Sequence, residues 1–131
     1  MPSDIVKYNG AQTAEYKLMC KKLMEVLNGE LKKAESKVWH GSPVWFLEGN
    51  PVAGYSVRKK GVQLLFWSGQ SFVECGLNPE GSFKAAEKYY TGLADIKVTA
   101  LRGWLKQAKH IQWDYKNIVK MKGKLSKIGN W

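Results

Sequence analysis

The spacing of hydrophobic residues changes character twice along the chain. In residues 13–27, apolar side chains recur every three or four positions, as they do on one face of a helix. Thr13 can cap this helix, and Asn28-Gly29 tolerates the left-handed conformation in which helices often end. Residues 1–10 are polar, so we predict no regular structure before the helix.

The middle of the chain consists of short apolar runs separated by turn residues, which is typical of β-strands. The predicted strands are residues 37–40, 44–47, 52–58, 62–67 and 88–91, with a long loop at 68–82. Loops as short as those between the first four runs cannot cross over a sheet. These strands should therefore be antiparallel neighbours in a β-meander of about five strands.

A helical period returns near the C-terminus, where Val98, Leu101 and Leu105 mark the apolar side of a predicted helix over residues 97–121. Residues 123–131 then form a basic tail. The sequence predicts an α+β fold, in which an antiparallel sheet packs against N- and C-terminal helices. At 131 residues, one domain over 1–131 is the expected organisation.

Charge is concentrated at the C-terminus. The chain has a net charge of +10, and residues 97–131 carry nine Lys/Arg against Asp114 alone. If these residues are helical, one face presents a cationic stripe of Arg102, Lys106, Lys109, Lys116 and Lys120, with Trp113 in its middle. This pattern favours nucleic acid or another polyanion as a partner, with Trp113 available to stack on a base. The alternative is an ordinary solvated helix face.

Aromatic residues are concentrated in the predicted strands. In 52–58, residues alternate between two faces, and 44–47 is apolar on both faces. One face must pack on helices, and the other is either covered or forms a concave binding surface. The candidate ligand-binding residues are Trp39, His40, Trp45, Tyr55 and Trp67.

Catalytic and metal-binding patterns are weak. His40 and His110 are widely spaced from Cys20 and Cys75, without the ligand spacing of a metal site, so we predict no metal and no cofactor. No nucleophile motif accompanies His40, whose catalytic use is left as an alternative to a structural role at a strand end. Cys20 lies in a helical apolar pattern and is expected to be buried, whereas the role of Cys75 stays open. Without a signal-type apolar run or a membrane span, we expect a cytoplasmic protein.

Four segments carry a family resemblance: WHGSPVWFLEGNPVAGYS, VQLLFWSGQSF, AEKYYTGLADI and LRGWLKQAKHIQWDYKNIV. Over about residues 14–122 the chain resembles the YdhG-like domain-of-unknown-function family. The resemblance implies an antiparallel sheet flanked by helices, and it implies no catalytic residues. Some relatives are called frataxin-like iron chaperones, which implies an acidic iron-binding face, but here the acids are dispersed.

Three functions follow as expectations. The first is a non-enzymatic binding or interaction module that uses the aromatic sheet surface. The alternatives are nucleic-acid binding through the basic C-terminal helix and, from the resemblance alone, an intracellular iron chaperone.

Overall fold

The computed structural model describes residues 3–73, 76–129 and 131. Within them, the helices are α1 Ser3–Gly10, α2 Ala14–Glu30 and α3 Val98–Ala108. The strands of the main sheet are β1 Glu35–Trp39, β2 Ser42–Leu47, β3 Asn50–Arg58, β4 Gly61–Phe66, β5 Asn78–Pro79 and β6 Ala86–Tyr90. A second, two-stranded sheet pairs β7 Gln112–Trp113 with β8 Lys127–Ile128. The α+β prediction is confirmed.

The main sheet is antiparallel throughout, in the order β1-β2-β3-β4-β6-β5. The five predicted strands are β1–β4 and β6, and the short β5 lies inside the segment predicted as a loop. Two-residue turns join β1 to β2 at His40-Gly41 and β2 to β3 at Glu48-Gly49. All four turn residues have positive φ, the conformation that matches the twist of a tight hairpin.

The described helices pack on one face of the sheet. Alternate residues of each strand point toward them, as Val62, Leu64 and Phe66 of β4 do. They meet the apolar sides of α2 and α3, where Leu23 and Leu105 are fully buried. No described helix combines the length and the hydropathy that crossing a bilayer requires.

The prediction of no regular structure in residues 1–10 was wrong, because α1 begins at Ser3. Its stability comes from tertiary contacts rather than from its own polar sequence. Ile5 is buried in the core, and the Asn9 amide oxygen accepts a hydrogen bond of 2.7 Å from the Tyr55 hydroxyl. The Asp4 carboxylate accepts the Val38 backbone N–H at 2.8 Å, so α1 also covers part of the outer edge of β1.

The predicted C-terminal helix was too long. α3 ends at Ala108, and residues 109–121 are turns and the short β7 instead of about three and a half further helical turns. Their backbone donors bind partners elsewhere in the fold: Trp113 N–H donates to the Ser68 hydroxyl at 2.8 Å, and Lys116 N–H to the Asn50 side-chain oxygen at 2.9 Å. These tertiary bonds outweigh the weak helix preference of the segment.

Candidate functional site

The face of the sheet that the helices leave uncovered, called here the open face, carries the second set of alternating side chains. It runs from Trp39 and Phe46 on β1 and β2 to Leu65 and Trp67 on and after β4. These side chains lie outside the core that the sheet forms with the helices. Phe46 is nevertheless buried, by its neighbours on the open face. The open face is therefore a second apolar surface, built outside the core.

Four rings on this face contact one another and are called the aromatic cluster: Trp39, His40, Phe46 and Trp67. Trp39 is central, with ring centroids 4.3 Å from His40, 5.4 Å from Phe46 and 6.4 Å from Trp67. The Phe46 contact is edge-to-face, one of the arrangements that the ring quadrupoles favour. His40 reaches the cluster because the tight β1–β2 turn places it directly after Trp39.

Polar side chains lie beside the aromatic cluster. The hydroxyls of Ser42 and Ser56 are 2.6 Å apart across β2 and β3, and the Gln63 amide donates to the Glu87 carboxylate at 2.7 Å. Arg58 is exposed at the end of β3, and no carboxylate in the described part of the chain forms an ion pair with it. Its guanidinium is thus a charged donor available to a ligand.

A cleft of about 140 Å³ opens between the rings and these polar groups. Trp39, His40 and Trp67 line one part of it, and Ser56, Arg58 and Gln63 line another. A cavity of about 150 Å³ is large enough to hold benzene. The cleft therefore has room for one ring-sized group, with a guanidinium near its edge.

Gly54 lets the Pro43 carbonyl oxygen of β2 come close to β3, beneath the Trp67 ring. A Cβ at this position would come 2.6 Å from the Pro43 carbonyl oxygen and 3.4 Å from the Trp67 ring. A glycine inside a strand often marks such a close approach. The absence of a side chain at Gly54 therefore shapes the floor of the cleft.

The five candidate ligand residues divide between the two faces of the sheet. Trp39, His40 and Trp67 meet on the open face, but the side chains of Trp45 and Tyr55 belong to the helix-covered core and are 1% and 2% exposed. The indole N–H of Trp45 donates to Asn28 of α2 at 2.8 Å. Grouping these two side chains with the open-face rings was wrong, because the strand alternation turns them toward the helices.

The predicted cationic stripe does not form, because α3 ends before most of its members. Arg102 and Lys106 lie on α3, Lys109 follows its end, Trp113 is in β7, and Lys116 and Lys120 lie in the turns beyond. Arg102 and Lys109 both approach the Glu30 carboxylate, at 3.8 and 3.5 Å. The six residues do not share one helical face, which corrects the geometry of the prediction and leaves nucleic-acid binding itself untested.

Trp113 is held by the fold. Its indole N–H donates to the Ser71 hydroxyl at 3.0 Å, its ring packs edge-on against Trp131 at 5.4 Å, and the Lys84 ammonium lies 4.6 Å from its centroid. A ring with these partners is not a free platform for stacking on a base. The hydrogen bonds of Asn50 to Gln112, Trp113 and Lys116 further fix the segment that carries it.

A larger cleft, of about 930 Å³, lies between the end of α2, the end of α3 and the C-terminal segment. Several of its charged groups already have partners: Glu30 pairs with Lys109, Asp114 accepts from Asn117, and Lys116 donates to the Glu48 carbonyl at 3.2 Å. Lys32, Lys33 and Glu48 also line it, so both signs of charge are present and the cleft selects no particular ligand chemistry.

Buried ionisable side chains lie in the core between the sheet and the helices. Burial raises the pKa of the Cys20 thiol to about 12, and it also raises the pKa of the Tyr55 and Tyr90 hydroxyls. The expected burial of Cys20 is confirmed, whereas Cys75 lies outside the described residues. Among the described residues, no group of three or more His, Cys, Asp or Glu is placed to hold a metal ion.

Sequence reasoning missed Phe46, Ser42, Arg58 and Gln63 as parts of the site. The available signal was the alternation in β3, which puts Gly54, Ser56 and Arg58 on one face and Tyr55 on the other. The alternation shows which residues share a face of the sheet, but it does not show which face the helices cover.

The fold and the cleft place this chain among α+β proteins with a six-stranded antiparallel sheet and helices on one face. A comparison with solved structures finds a protein of the DUF1801 family, YdhG from Bacillus subtilis, whose crystal structure was solved at 1.75 Å resolution. The two structures superpose with a TM-score of 0.61 over 92% of each chain, at 12% sequence identity. At this identity the similarity shows the fold.

No protein-family model matches the chain, and no curated protein matches it. The structural neighbour belongs to a domain-of-unknown-function family, and its description contains nothing on binding, nucleic acid or iron. The frataxin-like part of the sequence-based resemblance therefore has no support from the comparison.

Proposed function

We propose that this protein is a non-enzymatic binding module of the YdhG-like family, folded as a single domain over residues 1–131, and that its ligand is a small planar anion. The observation that carries the proposal is the cleft on the open face, where the aromatic cluster meets the unpaired Arg58 guanidinium. A ring-shaped group would pack on Trp39 and Trp67, and its acidic group would accept from Arg58.

The surrounding polar groups support binding over catalysis. Ser42 and Ser56 bond to each other and Gln63 bonds to Glu87. Nucleophilic catalysis needs a base within hydrogen-bond reach of the nucleophile, and no described hydrogen bond joins His40 to either serine. His40 instead contributes its ring to the aromatic cluster. The free, buried Cys20 thiol fits the proposed cytoplasmic location, where thiols stay reduced.

The test is a calorimetric titration with benzoate and with its neutral analogue benzamide. We expect the acid to bind at least about tenfold more tightly than the amide, because a hydrogen bond to a charged group contributes about 1.5–3 kcal/mol. Arg58→Gln should remove this preference, and Trp67→Ala should weaken both ligands. Arg102→Gln changes the chain's only other arginine and should leave both affinities unchanged.

Equal affinity of the acid and the amide for the unmodified protein would contradict a role for Arg58. If neither compound binds, the proposed class of ligand is wrong. The alternatives of nucleic-acid binding and iron handling stay predictions. Gel shift at two salt concentrations with Lys106, Lys109 and Lys116 changed to Glu tests the first, and anaerobic calorimetry with ferrous iron tests the second.

A further inference from the structure

The C-terminal segment closes into a compact loop outside the proposed ligand site. Residues 114–128, called here the basic loop, leave the main fold beside β7 and return at β8, and Asp114 N–H donates to the Ser126 carbonyl at 2.8 Å across its base. Inside the loop, Gly123 N–H donates to the Ile118 carbonyl at 2.8 Å. Lys122 has positive φ, as does Gly123, which ends the turn. The loop therefore has its own hydrogen-bonded shape.

The tip of the basic loop exposes aliphatic side chains. Val119 is 89% exposed, Met121 is 49% exposed and Ile128, at the base, is 41% exposed. Single exposed apolar residues are ordinary on protein surfaces. Here Val119 and Met121 alternate with lysines at the tip of one loop, so they form a small apolar patch surrounded by positive charge.

The charge of the basic loop is one-sided. Five lysines lie in residues 115–131, which contain no acidic residue: Lys116, Lys120, Lys122, Lys124 and Lys127. The carboxylate of Asp114, at the start of the loop, accepts from the backbone and side chain of Asn117. The lysines at the tip are thus not neutralised by a carboxylate of the loop.

We propose that the basic loop is a docking surface for an anionic lipid bilayer, independent of the ligand site on the open face. Val119 and Met121 enter the interface, and the flanking lysines stay among the headgroups. Stable adsorption of this kind needs both an apolar and an electrostatic contribution, and the loop offers both. Binding of single-stranded nucleic acid combines positive charge with exposed aromatic rings on which bases stack. The tip exposes aliphatic side chains, while Trp113 and Trp131 pack on each other at the base.

The experiment is flotation of the full chain with vesicles of phosphatidylcholine alone and of phosphatidylcholine mixed with phosphatidylserine. We expect binding to the mixed vesicles and not to the neutral ones. Two tip variants separate the contributions: Val119→Ser with Met121→Ser, and Lys120→Glu with Lys122→Glu. Each should lower the vesicle partition coefficient by at least about tenfold. Because all four side chains are exposed, the variants should keep the fold, which circular dichroism checks.

Matched controls carry the same changes at exposed positions outside the loop. Lys17→Glu with Lys21→Glu reverses two charges on α2, and Val6→Ser with Leu18→Ser removes two exposed aliphatic groups. Both controls should retain binding. An equal loss in the charge control would show that net charge alone attracts the protein, which overturns the proposal, as does absence of binding to the mixed vesicles.

A fluorescence titration with a single-stranded oligonucleotide addresses the competing partner. If the loop serves nucleic acid, the lysine variant loses oligonucleotide binding and the serine variant keeps it, while vesicles are not bound. That combination overturns the lipid proposal. Vesicle binding that requires both the lysines and the aliphatic tip supports it.

Discussion

The two faces of the main sheet use alternate residues of the same strands and differ in what covers them. Leu64 and Leu65 are neighbours on β4, yet Leu64 is fully buried under the helices and Leu65 lies half-buried on the open face. On the covered face, aromatic side chains form specific hydrogen bonds with the helices, as the Tyr55 hydroxyl does with Asn9 of α1. On the open face the rings contact one another and leave a cleft.

An aromatic residue in a strand therefore has no fixed role. Trp45 and Trp67 lie within 22 positions of each other in predicted strands, but one anchors α2 and the other lines the cleft. Their roles follow from the face on which the pleat places them. The same substitution should therefore have different consequences on the two faces, mainly for stability on one and for binding on the other.

The largest expected effect comes from comparing Leu64→Ala with Leu65→Ala. Leu64→Ala should lower the free energy of unfolding by about 2–5 kcal/mol, because it leaves a cavity in the helix-covered core. Leu65→Ala should cost about 1 kcal/mol or less, because its side chain is partly solvated. Urea denaturation of both variants measures the difference. Equal losses of unfolding free energy would show that the two faces do not differ in this way.

Gly54→Ala tests how the open face is built. The added Cβ has no room beside the Pro43 carbonyl oxygen, so we expect a loss of about 1–3 kcal/mol in unfolding free energy. Gly103→Ala is the control, since a Cβ there meets no atom within 4 Å. If the Gly54→Ala protein is as stable as the unmodified one, the Pro43 carbonyl oxygen does not approach Gly54 closely enough to exclude a Cβ.

Asn50 lies at the end of the sheet, where the C-terminal segment is tied to the β2–β3 hairpin. Asn50→Ala removes three hydrogen bonds from a buried side chain and should lower the unfolding free energy by about 1–3 kcal/mol. Amide hydrogen exchange should speed up at Lys116, whose N–H loses its acceptor, and stay slow in the central strands. Unchanged exchange at Lys116 would show that this contact does not hold the segment.

The smallest effect that we expect near neutral pH is on the pH dependence of folding stability. It comes from the Cys20 thiol, which is buried in the core under the covered face of the sheet. The Cys20 pKa is raised from its ordinary 9.0 to about 12, so the thiol stays neutral in the folded protein while it ionises in the unfolded chain above pH 9.0. This contribution to stability is complete below pH 9.0 and is lost as the pH rises toward about 12. Tyr55 and Tyr90 act in the same direction.

Denaturation midpoints measured across this alkaline range should fall with rising pH, and less steeply in Cys20→Ala. A second readout is thiol labelling in a Cys75→Ser background, where Cys20 should react only as fast as the protein opens. An equally steep alkaline fall in Cys20→Ala would contradict the assignment to this thiol.

The sequence allowed the sheet to be predicted, because turn residues and short apolar runs are local signals. It did not allow α1 or the end of α3 to be predicted, because both depend on distant partners: Asp4 on Val38, and Trp113 on Ser68. Three of the four rings of the aromatic cluster were predicted for a similar reason. Trp39 and Trp67 are visible as aromatic residues in strands, but the choice between the two faces is made by helices whose docking the pattern does not encode.

We propose that the open face of the sheet, and not the covered one, is the binding surface. Nuclear magnetic resonance of the tryptophan indole N–H groups during titration with benzoate tests this proposal, because each tryptophan lies at a different place in the fold. We expect chemical-shift changes at Trp39 and Trp67 and none at the core residues Trp45 and Trp104. Shifts at Trp45 or Trp104 with Trp39 and Trp67 unmoved would contradict it.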